Sequence, residues 1–116
     1  HMHVHGLDGK FAQDNQEVRD SARDCLTPLS DPTDSGDVVM PAFSSGQWAG
    51  TLPQTLDAVP SGDLLFMCGG GILAHPQGPT AGVASVRDAW AAWRAGTPLA
   101  QAADDAPALR AALDFY

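Results

Sequence analysis

The residues of this chain best suited to chemistry lie in two small-residue segments. The first is Cys68-Gly69-Gly70-Gly71-Ile72-Leu73-Ala74-His75-Pro76, which follows the apolar run Leu64 to Met67. The second is Ser44-Ser45-Gly46, which follows Val38 to Met40. A buried strand, a small-residue loop that exposes backbone N–H groups, and then a helix is how a fold grips a phosphate. Two such units in series point to a phosphorylated ligand shared between neighbouring strand ends. A glycine triplet alone is also what a tight turn demands, and Ser44 alone would serve as a turn cap. Lys10, on a polar loop, reads by default as a solvated lysine, and His75 before Pro76 as a structural histidine that fixes a turn. His1, His3 and His5 alternate, so their imidazoles share one strand face. That spacing suits a zinc site of the kind metal-dependent hydrolases use, although no histidine or acidic partner of ligand type follows on the later strands.

These loops need elements to position them. The alternation of residues 1–5 gives a strand. Asp14-Asn15-Gln16-Glu17 offers a cap and first-turn acid, and Val18, Ala22 and Leu26 recur at helical spacing, which predicts a helix over Asn15 to Cys25. Pro28 to Gly36 is a long polar connection. Val38 to Ala42 reads as the second strand, Leu52 to Val59 as a helix with Pro53 in its first turn, and Leu64 to Met67 as the third strand. Pro79 to Ala95 is the longest helix, ended by Gly96 and Pro98; Val83, Val86, Trp90 and Trp93 make its expected buried stripe. Leu99 to Ala103 and Pro107 to Phe115 read as short helices, the second with Asp105 as a candidate cap, while Asp104 and Asp105 are taken as solvated. The order β-α-β-α-β-α implies parallel strands with right-handed crossovers. Three parallel strands neither close a barrel nor cover both of their faces, so the chain reads as part of a larger α/β structure.

Composition narrows the partners. With 116 residues the chain is at most one ordinary domain, and 44% hydrophobic residues supply a packed core. Fourteen acidic residues against six Lys and Arg give a net charge of −8, which argues against a nucleic-acid partner. Backbone donors still bind a single phosphate locally in an acidic chain. Cys25 and Cys68 have no metal-type spacing and read as buried free thiols, as in a reducing cytoplasm. No apolar run reaches the length of a membrane span, and no signal-peptide pattern opens the chain. The start at His1-Met2-His3 is read as a partial chain.

Met40-Pro41-Ala42-Phe43-Ser44-Ser45-Gly46, then Pro53, then Phe66-Met67-Cys68-Gly69-Gly70-Gly71-Ile72-Leu73-Ala74-His75-Pro76 resembles the large chain of ribulose-bisphosphate carboxylase (Rubisco). The matching loops there read P-V-A-S-G-G and F-G-G-G-T-L-G-H-P. His3 to Lys10 is similar to the family's H-T-G-T-V-V-G-K loop, with His and Lys at the same separation. The resemblance covers residues 1 to about 97. Departures matter: Leu7-Asp8 stands where the carboxylases have Val-Val, Ser45 replaces a glycine, Trp48 stands in place of His, and Gln77 in place of Trp. The Gly-Leu-Asp-Gly-Lys-Phe-Ala loop is more similar to the Rubisco-like proteins of form IV, which lack carboxylase activity.

The resemblance implies an α/β fold made of the last three βα units, strands 6–8, of a (β/α)8 TIM barrel, over residues 1–97. Residues 98–116 would be a helical tail. Active sites in such barrels lie on the loops at the carboxyl ends of the strands. By resemblance, Gly46, Gly69 and Gly70 would donate backbone N–H groups to one phosphate, and Ser44 and His3 would hold the other end of the substrate. Lys10 would close over the site as the catalytic group and stabilise developing negative charge. Mg2+ is implied as cofactor, with its ligands on upstream strands, so this chain alone is expected to be inert. The expected function is a Rubisco-like enzyme acting on a phosphorylated sugar or sugar acid through an enediolate, by isomerase, decarboxylase or transcarboxylase chemistry. A true carboxylase segment, a catalytically inert barrel fragment and the histidine-rich hydrolase remain alternatives. A homodimeric cytoplasmic parent, with no nucleic-acid or membrane partner, completes the expectation.

Overall fold

The structure, a computed structural model, describes residues 1–8, 13–30, 33 and 37–116. Three parallel strands lie in the order β1-β2-β3, where β1 is Met2–His5, β2 is Pro41–Ser44 and β3 is Leu65–Phe66. The α/β alternation expected from the sequence is therefore present. The register aligns Val4 with Phe43 and Phe43 with Phe66. This row packs into one core with residues of the helices, including Leu52, Leu56, Ala89 and Leu109. By alternation the row His3, Ala42 and Leu65 belongs to the other face, where His3, His5, Leu65 and Met67 are exposed.

Helix α1, Asn15–Cys25, has the bounds the sequence predicts. Asp14 caps it by accepting the Gln16 N–H at 2.7 Å, and Val18 and Ala22 face the core. The second strand starts three residues later than expected. Val39 N–H donates to Cys25 O at 2.8 Å, and Met2 N–H donates to Met40 O at 3.0 Å. The apolar residues Val38 to Met40 thus close α1 and lead into the ladder, and Pro41, which has no N–H to give, opens β2. A 3-10 turn, Ala49–Thr51, runs into α2, Leu52–Ala58.

The glycine triplet is not a loop. Gly69–Leu73 form a short helix, α3, with Cys68 at its N-cap and no side-chain capping bond. Helix α4, Pro79–Ala95, has the predicted bounds and ends at Gly96, whose φ of 68° supplies the left-handed turn. Its buried face differs from the expectation. Gly82, Ser85, Ala89 and Ala92 form the seam, while Val83 and Trp90 are 46% and 37% exposed. Small residues win because α4 lies against α3 so closely that a methyl group on Gly82 would sit 2.4 Å from Ile72 O. Trp93 flanks the seam and donates its indole N–H to Asp57 at 2.8 Å.

Helix α5, Leu99–Ala102, stops one residue short of the expected span, and α6, Pro107–Phe115, matches it. Asp105 does not cap α6; Ala106 holds that position without a side-chain bond. Asp104 is solvent-exposed, as expected, and accepts a hydrogen bond from Arg110 at 2.6 Å. Ala103, Leu109 and Ala112 join the same core as the sheet.

Candidate functional site

Parallel strands bring their carboxyl ends to one edge, and here that edge carries both small-residue segments. β2 ends at Ser44, whose hydroxyl lies 3.4 Å from Val4 O, a long contact. Ser45 and Gly46 follow with φ of 68° and 75°, so the chain turns sharply as it leaves the sheet. β3 leaves the sheet through Met67, whose N–H still donates to Phe43 O at 2.9 Å, and enters α3 two residues later. The first N–H groups of a helix have no intrahelical acceptor, so Gly69, Gly70 and Gly71 present theirs at this edge.

The three glycines do different work. A methyl group on Gly71 would lie 2.5 Å from Gln47 O and equally close to the Trp48 side chain. Among the described residues, Gly69 and Gly70 meet no atom within 4 Å where a Cβ would stand, and neither has a left-handed backbone. Nothing in the packing of the described residues or in the backbone conformation requires glycine at these two positions. The open space beside them is what close approach of a ligand to a backbone needs.

Gln47 holds the edge together, and the sequence reading missed it. Its buried side chain donates to Ser45 O at 3.1 Å and accepts from the Thr51 hydroxyl at 3.0 Å. Gly6, in the turn after β1, fits so tightly that a methyl group there would collide with the Gln47 amide and lie 2.6 Å from Ser44 O. The turn after β1, the turn after β2 and α3 all meet at this residue. The only signal in the sequence was indirect: Gly6 and Gly71 are glycines because Gln47 and its backbone occupy their Cβ positions.

Asp8 fixes the turn after β1. It has φ of 52°, exchanges two 2.9 Å hydrogen bonds with Asn15 at the head of α1, and accepts from Gln54 of α2 at 2.7 Å. The bonds from Asn15 and then Gln54, helped by the Arg19 charge, hold its carboxyl below the usual carboxylate range. Lys10 lies outside the described residues. His3 pairs in register with Ala42, and it is His5 that stands level with Ser44 at the strand ends. Ser44, Gly46, Gly69 and Gly70 thus share the carboxyl edge of β2 and β3, with His3 two residues further down its strand.

His75 is structural, as the sequence suggested. It is buried, its Nε2 donates to Ala108 O at 2.9 Å, and its Nδ1 accepts the Gln77 N–H at 3.1 Å, which anchors α6. Tyr116, at the end of that helix, donates to Gly71 O at 3.1 Å and stacks on Trp48 with ring centroids 4.8 Å apart. Cys68 is a buried free thiol whose pKa is pushed up by burial, and Cys25 is free and partly buried. Among the described residues no group of three or more His, Cys, Asp or Glu is placed to hold a metal ion. The histidine-rich zinc site therefore finds no ligand set, and a Mg2+ ion finds none here either. A cleft lined by Leu26, Pro28, Val38, Met40 and Asp63 lies at the opposite, amino ends of the strands and shares no residue with the site.

The sequence profile for the ribulose bisphosphate carboxylase large chain, catalytic domain, matches residues 1–116. The chain belongs to this family. It is 45% identical over 116 residues to a 3-oxo-isoapionate-4-phosphate transcarboxylase/hydrolase of Xanthobacter autotrophicus, covering all of this chain and 28% of that protein. It is 40% identical over 111 residues to a 3-oxo-isoapionate-4-phosphate decarboxylase of Rhizobium rhizogenes, covering 95% of this chain and 26% of that one. Among solved structures, a Rubisco-like protein from Burkholderia fungorum superposes with a TM-score of 0.92 at 67% identity, over 99% of this chain and 28% of that one. The chain spans about a quarter of the length of the curated relatives it matches. Identity to the ribulose bisphosphate carboxylase of Pyrococcus furiosus is lower, 33% over 115 residues, so the resemblance to Rubisco-like proteins read from the Gly6 to Ala12 loop is borne out. Dimeric and octameric Rubiscos are among the similar structures, at 30% and 29% identity. No described helix is long and apolar enough to cross a membrane.

Proposed function

We propose that this chain is the phosphate-holding part of the active site of a Rubisco-like enzyme that acts on a phosphorylated sugar or sugar acid. The observation that carries the reading is the open backbone at Gly69 and Gly70, beside the left-handed Gly46 turn of the adjacent strand. Oriented N–H groups in an uncrowded pocket suit a dianion even in a chain of net charge −8, because their partial charges act at contact distance. The relatives point the same way, since two of them are named for a 3-oxo-isoapionate 4-phosphate substrate.

In this reading the three βα units are the last three of a (β/α)8 barrel. Ser44 and His3 take the end of the substrate away from the phosphate, and Lys10 stabilises charge that develops on an enediolate or carboxylate. Decarboxylation or transcarboxylation beside a ketone generates an enolate, which is an enediolate when the carbon losing the carboxyl group carries a hydroxyl, and a fixed cation close to the developing oxyanion lowers its energy most when water is excluded. The reading includes Mg2+ held by residues outside this chain; the described residues do not fit it, and no role is assigned to them toward the ion. A homodimeric cytoplasmic enzyme is part of the proposal.

The test is turnover of 3-oxo-isoapionate 4-phosphate by the protein in its full expressed length, followed by carbon dioxide release and product analysis. Decarboxylase or transcarboxylase activity is expected. Carboxylation of ribulose bisphosphate by the same preparation, with no reaction on the oxo-acid, would establish the true-carboxylase alternative instead.

A further inference from the structure

Helix α3 is too short and too rich in glycine to hold itself in place. It runs only from Gly69 to Leu73, opens with three glycines and has no side-chain cap. Its carboxyl end is unfinished as well. In a longer helix the His75 N–H would bond to Gly71 O; here it donates to Ile72 O at 3.3 Å instead. The Tyr116 hydroxyl takes that place and donates to Gly71 O at 3.1 Å, with Gly70 O a longer 3.4 Å away. Tyr116 is itself held firmly. Its N–H continues α6 by donating to Ala112 O at 3.1 Å, and its ring stacks on the Trp48 indole. Gly50 makes room for that indole, since a methyl group there would collide with it. Near its other end α6 is tied, through Ala108 O, to His75 in the turn after α3. The two ties lie about two helical turns apart along α6, so α6 works as a splint across α3.

We infer that Tyr116 is a positioning residue: its hydroxyl bond to Gly71 O and its stack on Trp48 set the tilt of α3, and with it the direction in which Gly69 and Gly70 present their N–H groups. The inference rests on the phosphate-holding reading above and adds a residue that acts through α3 and not by contact with the ligand. Tyr116 meets α3 at carbonyl groups, which point to the carboxyl end of a helix, and leaves the N–H groups at the amino end untouched. Trp48, which stands in place of the His of the carboxylase loop, supplies the aromatic surface for this tie.

The experiment measures inorganic phosphate binding by titration calorimetry for the protein in its full expressed length and its Y116F and Y116L variants, at a temperature where thermal unfolding shows each of them folded. Y116F keeps the stack and removes the bond, whereas Y116L removes both. Phosphate binding is expected to weaken about threefold in Y116F and about tenfold in Y116L, because a loosened α3 has to be ordered as the ligand binds. A merely structural tyrosine would lower Tm and leave the phosphate affinity of the folded protein unchanged. That result would overturn the positioning role and leave the phosphate-holding reading standing. Should Y116L fail to fold, the affinity of Y116F decides between the two. A parent protein that binds no phosphate would overturn the phosphate-holding reading, and this inference with it.

Discussion

Gly70 and Gly71 are consecutive residues of one short helix, yet they belong to two different regions of the molecule. Gly71 is on the packed side, where α3, the Gln47 turn and Trp48 meet with no room for a methyl group. Gly70 is on the open side, where a methyl group would touch none of the described residues. The fold requires one glycine, and the packing of the described residues gives no reason for the other. Steric demand by the protein's own atoms, taken together with a left-handed backbone as at Gly62, Gly78 and Gly96, therefore separates structural glycines from candidate ligand-facing ones, which sequence identity alone does not do. Gly6 and Gly82 fall with Gly71, and Gly69 with Gly70.

The largest effect should come from Gly71→Ala. The new methyl group would meet backbone at Gln47 and Trp48, so α3 or the Gln47 turn has to shift. Overpacking of this kind costs about 3 kcal/mol, and chemical denaturation should show it as a clear drop in midpoint. A variant as stable as the parent would mean that α3 is free to slide, and the contrast between the two glycines would lose its basis. On the same packed side, His75→Ala removes the tie to Ala108 O and the acceptor for the Gln77 N–H, leaving buried polar groups unpaired. A loss of about 2 kcal/mol is expected. Because α6 carries Tyr116 onto Trp48, tryptophan emission should change along with stability. Unchanged emission would show that α6 stays seated without His75.

Gly70→Ala tests the open side. In the fold it should be neutral or stabilising by under about 1 kcal/mol, since alanine suits a helix better than glycine. In the site it should weaken phosphate binding about tenfold or more, as a methyl group then occupies the space that the ligand needs; tenfold is about 1.4 kcal/mol. Destabilisation with intact binding would invert the assignment.

The two regions were not equally legible in the sequence. The long helices α1, α4 and α6 could be read to the residue because caps, prolines and Gly96 punctuate them, and these signals are local. The strands could be located but not bounded: the apolar run Val38 to Met40 looks like ladder, and only the tertiary bonds to Cys25 and Met2 show that it is lead-in. The buried seam of α4 was misread because hydrophobicity ranks Trp90 and Val83 above Gly82 and Ser85, whereas close helix approach selects for size. Helix α3 was invisible because three glycines have poor helix propensity; packing against Gln47, Trp48 and α4 overrides it. Of the site, the two phosphate-type loops were legible as motifs. Gln47 was not, since a buried glutamine announces itself only through the glycines it crowds.

The smallest expected effect concerns the hinge between the two regions. Asp8 joins the turn after β1 to α1 and α2 through Asn15 and Gln54, and its carboxyl pKa is lowered below the usual 3.8 chiefly by those two bonds. A carboxyl that is more acidic folded than unfolded stabilises the fold above its unfolded pKa, and that contribution fades as pH falls through the lowered folded value. Stability attributable to Asp8 should therefore be full at neutral pH and be lost below about pH 4. Asp37, held by the Ser30 hydroxyl and the backbone of Ser30 and Leu29, shifts in the same direction and adds to the same acid limb. Asp8→Asn should flatten that limb only in part, with a modest loss at pH 7 because Asn15 and Gln54 then face a neutral amide. Unfolding midpoints measured from pH 7 down to pH 3 decide it. Parallel curves for parent and variant would mean that Asp8 carries no charge-dependent tie, and that the turn after β1 is held by Gly6 against Gln47 alone.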